Sequence, residues 1–273
     1  MKEIEFWKMS GSGNDFILID NRHDEIKDRE MGRLVQRACR RRESVGADGV
    51  IFVTRSKKYD FGWHYFNADG GEVEMCGNAT RCVSRFAFLN GITGPKMTFE
   101  TLAGPVSSEV KGRMVKVLMP TPTGLDMDLD LERRQGWKTV DFINTGVPHV
   151  VICVENISDY PVKEQGKAIR FHKRFSPGGT NADFMEITAS DQIKMRTYER
   201  GVEDETLACG TGAIACALTA SARDMVSSPV KVKTLGGEDL IIYFQKDVDA
   251  FGQVWLEGNT SIIYQARMNQ EAL

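Results

Sequence analysis

The sequence predicts a mixed α/β fold of the α+β kind, built as two similar halves in which many short strands surround one helix. Glycine is frequent, with 26 of 273 residues, which favours many tight turns and therefore short strands. Short runs that alternate apolar and polar residues recur along both halves, as expected of half-buried strands. In each half a Cys-Gly pair opens a helical pattern, at Cys76 and at Cys209, 133 residues apart.

The first half alternates short strands with two helices. A turn rich in Gly and Asn, Ser10–Asp15, separates the first two strands, and Asn14 within it is either a turn former or a ligand contact. Apolar residues at helical spacing predict an amphipathic helix over Asp28–Arg42, with Cys39 on its buried stripe. A second helix follows Cys76. The predicted strands are Ile4–Met9, Phe16–Asp20, Val50–Val53, a segment through Phe61, Trp63 and Tyr65, Met97–Thr101, Val106–Val110 and Met114–Met119.

The second half repeats this order after a Pro- and Asp-containing linker, Pro120–Asp128. A helix is predicted within Val162–Lys173, a Gly-rich loop at Ser176–Asp183, and a further helix after Cys209. The predicted strands are Thr139–Ile143, His149–Val154, Phe184–Thr188, Ile193–Tyr198, a hairpin of Val230–Thr234 and Leu240–Phe244, Val254–Glu257 and Ser261–Tyr264.

Composition and charge argue against partners such as nucleic acid and membranes. With 35 basic and 38 acidic residues, the net charge of −3 gives no electrostatic reason to expect nucleic acid or an anionic membrane as a partner. The N-terminal MKEIEFWKMS is charged from its second residue, and no apolar run reaches membrane-spanning length, so we expect a cytoplasmic protein. In that reducing compartment the six cysteines are not expected to form disulfides.

Cys76 and Cys209 are the residues that point to chemistry. At a helix N-terminus a cysteine meets unpaired backbone N–H groups and the positive end of the helix dipole, which favour the thiolate. The small residues after Cys209 also predict a cradle for a carboxylate or phosphate. Cys82 and Cys216 fall on apolar helix stripes and are expected in the core.

Three familiar cysteine chemistries fit less well than a matched acid/base pair. Five and six residues separate Cys76 from Cys82 and Cys209 from Cys216, against about two to four in zinc ribbons, so no metal site is expected. A redox pair would lack the Cys-x-x-Cys motif, although Cys76 and Cys209 could still join across an interface. A papain-like nucleophile would pair one cysteine with His149 and leave the twin cysteine without a role.

Two matched thiols suit a reaction that acts on both faces of one carbon atom. Inverting a carbon centre needs a base on one side and an acid on the other, and a thiol with an ordinary pKa of about 8.5 can serve as either after modest tuning. The helix N-termini would then bind the carboxylate next to the reacting carbon.

Ordered motifs over nearly the whole chain resemble the diaminopimelate epimerase family. They are Gly11–Phe16, Gly46–Gly49, Phe66–Gly70, Cys76–Cys82, Pro148-His149, Thr180–Ala182, Tyr198–Gly201 and Ala208–Ala213. The resemblance implies two pseudo-symmetric domains, each a mostly antiparallel strand barrel wrapped around a central helix, with the active site in the interdomain cleft. It places residues 1–118 and 262–273 in one domain and 119–261 in the other, and it implies a homodimer.

The resemblance also assigns roles to residues. It implies a cofactor-independent isomerase that interconverts LL- and meso-2,6-diaminopimelate, for lysine and peptidoglycan precursors, with Cys76 and Cys209 as the acid/base pair. His149 and Glu199 would tune the two thiols. The expected substrate-binding residues are Asn14, Asn67, Gly77, Asn78, Asn181, Glu199, Arg200, Gly210 and Thr211, of which the backbone at 77, 78, 210 and 211 would hold the reacting carboxylate.

Four features depart from the family pattern. Val147 stands where many members have Asn, and Gly49 where some have Gln, which removes two side-chain contacts to the far end of the substrate. Ala79 replaces a common Gly, and the loop Gly201–Ala208 is one residue longer than in some relatives. None of these changes touches the thiols.

Two competing functions are distinguished by assay. A proline or hydroxyproline epimerase of the same architecture would not need Asn67, Asn181 and Arg200 to hold a second amino-acid end. A non-catalytic binding protein or thiol redox sensor would exchange no α-proton.

Overall fold

A computed structural model describes residues 3–132, 136–247 and 250–273. The chain divides into two compact units, one comprising the chain up to Val117 together with Gly258–Leu273, the other Leu118–Glu257. None of the helices within the described ranges combines the length and apolar character needed to cross a membrane.

Over its described residues, the first unit holds a sheet, two α-helices and a short 3-10 helix at Gln270–Ala272. Its elements are β1 (Ile4–Gly11), β2 (Asn14–Asp20), α1 (Asp28–Ala38), β3 (Gly49–Thr54), β4 (Phe61–Asn67), α2 (Gly77–Leu89), β5 (Lys96–Thr101), β6 (Gly104–Lys111), β7 (Met114–Leu118) and, after the second unit, β17 (Ser261–Met268). The strands pair in the order β17-β1-β2-β3-β4-β5-β6-β7, in which β2–β3 and β4–β5 are parallel and the other pairs antiparallel.

The second unit repeats that pairing scheme. Its elements are β8 (Thr123–Asp126), β9 (Trp137–Asn144), β10 (Pro148–Val154), α3 (Val162–Arg170), β11 (Asn181–Ala189), β12 (Gln192–Glu199), β13 (Asp204–Thr206), α4 (Gly210–Ala222), β14 (Val230–Lys233), β15 (Asp239–Tyr243) and β16 (Trp255–Asn259), which belongs to this unit up to Glu257. The order is β8-β9-β10-β11-β12-β14-β15-β16, with β10–β11 and β12–β14 parallel and the other pairs antiparallel. Both units therefore use the same sequence of pairings, with a helix in each crossover between parallel strands.

The two helices of each unit have different surroundings. α1 places Met31 and Val35 in a core with strand residues such as Ile17 and Phe52, and α3 packs in the same way on β11 and β12. α2 packs against β1, β2, β3 and β6, and α4 against β9, β10, β11, β12, β14 and β15. Because ten of the thirteen residues of α4 are buried, this helix is apolar on all sides and the strands surround it. The predicted class, mostly antiparallel strands around a central helix, is confirmed.

Several predicted boundaries are wrong. α1 ends at Ala38 instead of Arg42, because the backbone turns at Cys39 and the Ala38 carbonyl accepts from the N–H of Gly46. The predicted linker contains β8, an exposed strand paired with β9, and the loop Gly201–Ala208 contains β13, a strand that was not predicted. β11 begins at Asn181, inside the predicted Gly-rich loop, because its ladder with β10 starts at His149. Cys39, Cys82 and Cys216 are buried, as predicted.

Candidate active site

Cys76 and Cys209 occupy equivalent positions in the two units. Each is the N-cap residue of the central helix, with extended backbone angles of φ −143° and ψ 124° at Cys76 and φ −126° and ψ 110° at Cys209. The helical hydrogen bonds begin with the N–H of Thr80 to the Cys76 carbonyl, 2.8 Å, and the N–H of Ala213 to the Cys209 carbonyl, 2.9 Å. The N–H groups of residues 77–79 and 210–212 precede these bonds, which makes each helix start suited to an anion.

A chain of polar side chains fixes the start of α2. The amide nitrogen of Asn78 donates to Oδ1 of Asn14 at 2.8 Å, and the amide nitrogen of Asn14 donates to Asp48 at 2.9 Å. The fully buried Arg81 donates to Oδ1 of Asn78 at 2.8 Å and also bonds the Ser12 hydroxyl. The structure therefore brings Asn14 and Asn78 together and sets the orientation of both amides.

Asn67 lies at the end of β4, exposed, and its Oδ1 accepts a hydrogen bond from the Tyr65 hydroxyl at 2.9 Å. The ring of Tyr65 lies over Gly49, where an added Cβ would be 2.8 Å from the ring and 2.5 Å from the carbonyl oxygen of Phe66. Both distances are shorter than real Cβ contacts. The Phe66 carbonyl and the ring of Tyr65 therefore leave no room for a side chain at position 49.

Cys209 is buried among acidic side chains. Its Sγ lies 3.4 Å from the hydroxyl of Thr211. Burial raises the pKa of the Cys209 thiol well above its ordinary value, and the negative charges of Glu199 and Asp183 raise it further. Burial likewise raises the pKa of the Glu199 carboxyl, against the hydrogen bonds it accepts from Thr206 and from Cys209. Cys209 in this setting is held as the protonated thiol.

His149 is fully buried and forms a hydrogen bond with Asp183. Asp183 was not among the residues predicted from the sequence. Nδ1 of His149 lies 2.6 Å from Oδ2 of Asp183, and the Thr197 hydroxyl donates to Oδ1 at 2.7 Å. The parallel register of β10 and β11 pairs His149 with Asn181, and Asp183, two residues on, lies on the same face. Asp183 therefore connects His149 electrostatically to Cys209.

Asp183 also explains one glycine after Cys209. A Cβ on Gly212 would lie 2.3 Å from Oδ1 of Asp183 and 3.1 Å from the Met195 methyl. Position 212 therefore requires glycine, because the Asp183 side chain lies too close to leave room for a Cβ.

Asn181 and Arg200 meet at the ends of β11 and β12. Oδ1 of Asn181 accepts from the backbone N–H of Arg200 at 2.7 Å, and its amide nitrogen donates to the Pro148 carbonyl at 3.3 Å. The Arg200 guanidinium donates to the carbonyl of Gly178 at 3.2 Å. Asn181 is buried, so in this structure its amide supports the backbone around Arg200.

No group of three or more His, Cys, Asp or Glu side chains suited to a metal ion occurs in residues 3–132, 136–247 and 250–273. Tyr65, Asp48 and Asp183 were not among the site residues predicted from the sequence. One local signal was present for Asp183, a single acidic residue in the apolar run Ala182-Asp-Phe-Met185.

Comparison with known proteins gives consistent matches. The family model described as diaminopimelate epimerase matches residues 6–123 and 142–256. The chain is 44% identical to the diaminopimelate epimerase of Aquifex aeolicus, with 99% of each chain covered, and 40% identical to that of Hydrogenobaculum sp., with 97% and 98% covered.

Two solved structures share the fold at low identity. A PhzF-family phenazine biosynthesis protein from Bacillus anthracis has a TM-score of 0.73 at 17% identity, covering 98% of this chain and 99% of that one. A hydroxyproline epimerase from Agrobacterium vitis has a TM-score of 0.65 at 13% identity, covering 98% and 93%. On the family match and the extent of these sequence identities, the chain belongs to the diaminopimelate epimerase family.

Proposed function

We propose that this protein interconverts LL- and meso-2,6-diaminopimelate by acid/base catalysis with two thiols, Cys76 and Cys209, and without a cofactor. The observation that carries the proposal is the equivalence of the two cysteines. Each caps the central helix of a unit, and the two units share one scheme of strand pairing. Twin thiols at twin helix starts are what a reaction on two faces of one carbon requires.

The proposed reaction moves one proton off the α-carbon and another onto its opposite face. A thiolate accepts the α-proton, the electron pair passes into the neighbouring carboxylate, and the second thiol delivers its proton from the other side. Helix N–H groups at Gly77, Asn78, Gly210 and Thr211 stabilise the charge that develops on that carboxylate. Such preorganised donors are the main means by which a protein lowers the barrier to removing a weakly acidic proton.

The surroundings of Cys209 favour its protonated thiol. Cys209 therefore acts as the acid in the reaction direction that begins with this thiol protonated. It is buried, it donates to the Glu199 carboxylate, and the neighbouring charges raise the pKa of its thiol. Cys76 is half-exposed at its helix start and takes the part of the base. In the reverse direction the two thiols exchange roles.

The far amino-acid end of the substrate needs its own polar contacts. We assign Asn14, Asn67, Asn181, Glu199 and Arg200 to that end. The fixed amides of Asn14 and Asn67 and the backbone-anchored Arg200 support this assignment, because preorganised groups bind at low entropic cost.

The test is exchange of the α-proton in deuterated water. The unmodified chain should incorporate deuterium into diaminopimelate, and Cys76→Ala and Cys209→Ala should each lower epimerisation by about 10²–10⁴-fold. Cys216→Ala is the matched control, a buried thiol in the same helix as Cys209, and should keep its activity. Full epimerisation by either active-site variant would disprove the two-thiol mechanism.

The fold neighbours raise one alternative substrate class, since one of them is a hydroxyproline epimerase. Assaying diaminopimelate, proline and hydroxyproline side by side separates the two functions, and turnover of the cyclic substrates alone would favour the alternative. We further propose a cytoplasmic homodimer acting in lysine biosynthesis. Cell fractionation and light scattering of the purified protein test the location and the subunit number.

A further inference from the structure

Arg200, which the proposed function assigns to the far end of the substrate, lies in a tight turn at the end of β12. The N–H of Glu203 bonds the Glu199 carbonyl at 2.9 Å and closes this turn around residues 200–202. Within it, the backbone N–H of Arg200 donates to Oδ1 of Asn181 at 2.7 Å. The direction in which the Arg200 side chain leaves the backbone therefore depends on the conformation of this turn.

Glu203 stabilises the turn from within. Its Oε1 accepts the backbone N–H of Gly201 at 3.0 Å, and its carbonyl accepts from the Tyr198 hydroxyl at 2.8 Å. Glu203 has a φ of 59°, in the left-handed region that residues other than glycine seldom adopt. A carboxylate kept at a backbone position that favours glycine indicates a role for the carboxylate itself.

Arg170 binds the same carboxylate from outside the turn. It is the last residue of α3, and its Nε and Nη2 donate to Oε1 of Glu203 at 3.1 and 2.9 Å. Its third nitrogen, Nη1, donates to the Gly178 carbonyl at 3.5 Å, and the Arg200 guanidinium donates to this carbonyl at 3.2 Å. The two guanidinium groups therefore meet at one carbonyl, and α3 supports both the turn and its arginine.

The surroundings of Arg170 restrict its guanidinium. Only 14% of its side chain is exposed, and its Cζ lies 4.7 Å from the centre of the Phe171 ring. A Cβ at Gly179 would overlap Nη1, so the glycine there allows the guanidinium to pack against the backbone. The Gly201 N–H and the Arg170 guanidinium hold the pKa of the Glu203 carboxyl below its ordinary value, so the pair stays charged at neutral pH.

We propose that Arg170 and Glu203 are positioning residues for Arg200, which together fix the turn that carries it and the direction of its guanidinium. Neither residue needs to touch the substrate. This inference rests on the proposed function. It extends that function to the loop Gly201–Ala208, one of the features in which this chain departs from the family pattern.

The first test is steady-state epimerisation of diaminopimelate by Arg170→Met, which keeps the aliphatic stem and removes the guanidinium. A turn that is less ordered in the free protein must become ordered when the substrate binds, so KM should rise about 3–10-fold. We expect kcat within about twofold, because the Glu199 carboxylate beside Cys209 is held separately by the Thr206 hydroxyl at 2.7 Å. In an Arg200→Met background, Arg170→Met should change kcat/KM no further.

Glu203→Gly is the second variant, and it separates positioning from stability. It removes the carboxylate but suits the left-handed φ, so the melting temperature should stay within about 3 °C of that of the unmodified chain. KM should still rise about 3–10-fold, for the same reason as in Arg170→Met. Lys163→Met is the matched control, because Lys163 also joins α3 to this loop, at 2.9 Å from Asp204, the residue after the turn. Its KM should equal that of the unmodified chain.

The outcomes separate this inference from the function on which it rests. An unmodified chain that does not epimerise diaminopimelate would overturn both. In an active chain, three results would overturn the positioning role and leave the epimerase proposal standing. These are an unchanged KM in either Arg170→Met or Glu203→Gly, an equal rise of KM in Lys163→Met, and a full effect of Arg170→Met in the Arg200→Met background.

Discussion

Gly212→Ala adds a single methyl group at the point where α4 passes Asp183. The new Cβ would lie 2.3 Å from Oδ1 of Asp183 and 3.1 Å from the Met195 methyl. Asp183 cannot retreat freely, because it is fully buried and bonded to both His149 and Thr197. Two effects of opposite sign therefore compete in this variant.

The steric effect is the larger one. Alanine gains at most about 1 kcal/mol over glycine within a helix. Forcing a methyl group into a packed site costs about 1–3 kcal/mol, and weakening the charge-assisted hydrogen bond of Asp183 to His149 adds up to about 1.5–3 kcal/mol. The two costs less the gain in helix propensity give an expected net loss of about 1.5–5 kcal/mol in the free energy of unfolding.

Urea denaturation followed by circular dichroism measures this loss. The variant should unfold at lower urea, with an unchanged slope. Gly94→Ala is the control, because its Cβ would meet nothing within 4 Å. A Gly212→Ala protein as stable as the unmodified chain, or more stable, would refute the reasoning, since helix propensity would then outweigh the contact with Asp183.

The remaining predictions concern the thiols and the buried pair. Iodoacetamide at pH 8 should alkylate Cys76 well before Cys209, because the raised pKa of Cys209 keeps its thiol protonated until higher pH. Peptide mass spectrometry measures the two rates. Equal rates would contradict the protonation states assigned to the two thiols. Glu199→Gln removes a charge that raises the pKa of Cys209, so labelling of Cys209 should begin at lower pH, and an unchanged profile would show that the Glu199 charge does not contribute to this pKa. Asp183→Ala leaves His149 and Thr197 without their shared hydrogen-bond acceptor and should cost about 1–3 kcal/mol in urea denaturation, whereas a loss below about 0.5 kcal/mol would mean that these hydrogen bonds contribute little.

The sequence predicted most strands and both cysteine-capped helices, because each depends on local periodicity. It missed β8, a short strand that is exposed throughout, and β13, which has only three residues; neither has an apolar alternation to detect. It also missed the partner of His149, because that contact depends on the parallel register of β10 and β11, which no local pattern encodes. The aromatic pattern of β4 predicted a strand through Tyr65 but gave no reason to connect its hydroxyl with Asn67.

The late position of β17 in the chain affects how the protein is made. This strand pairs with β1 from Met268 opposite Ile4 to Ser261 opposite Ser10, yet it follows the whole of the second unit. All of Leu118–Glu257 is therefore synthesised before the edge strand of the first unit. Until β17 is made, the backbone N–H and C=O groups on one edge of β1 have no strand to pair with, and such an edge favours misassociation. The contiguous second unit is free to complete its own sheet first, so co-translational folding here should finish in the reverse of the usual N-to-C order.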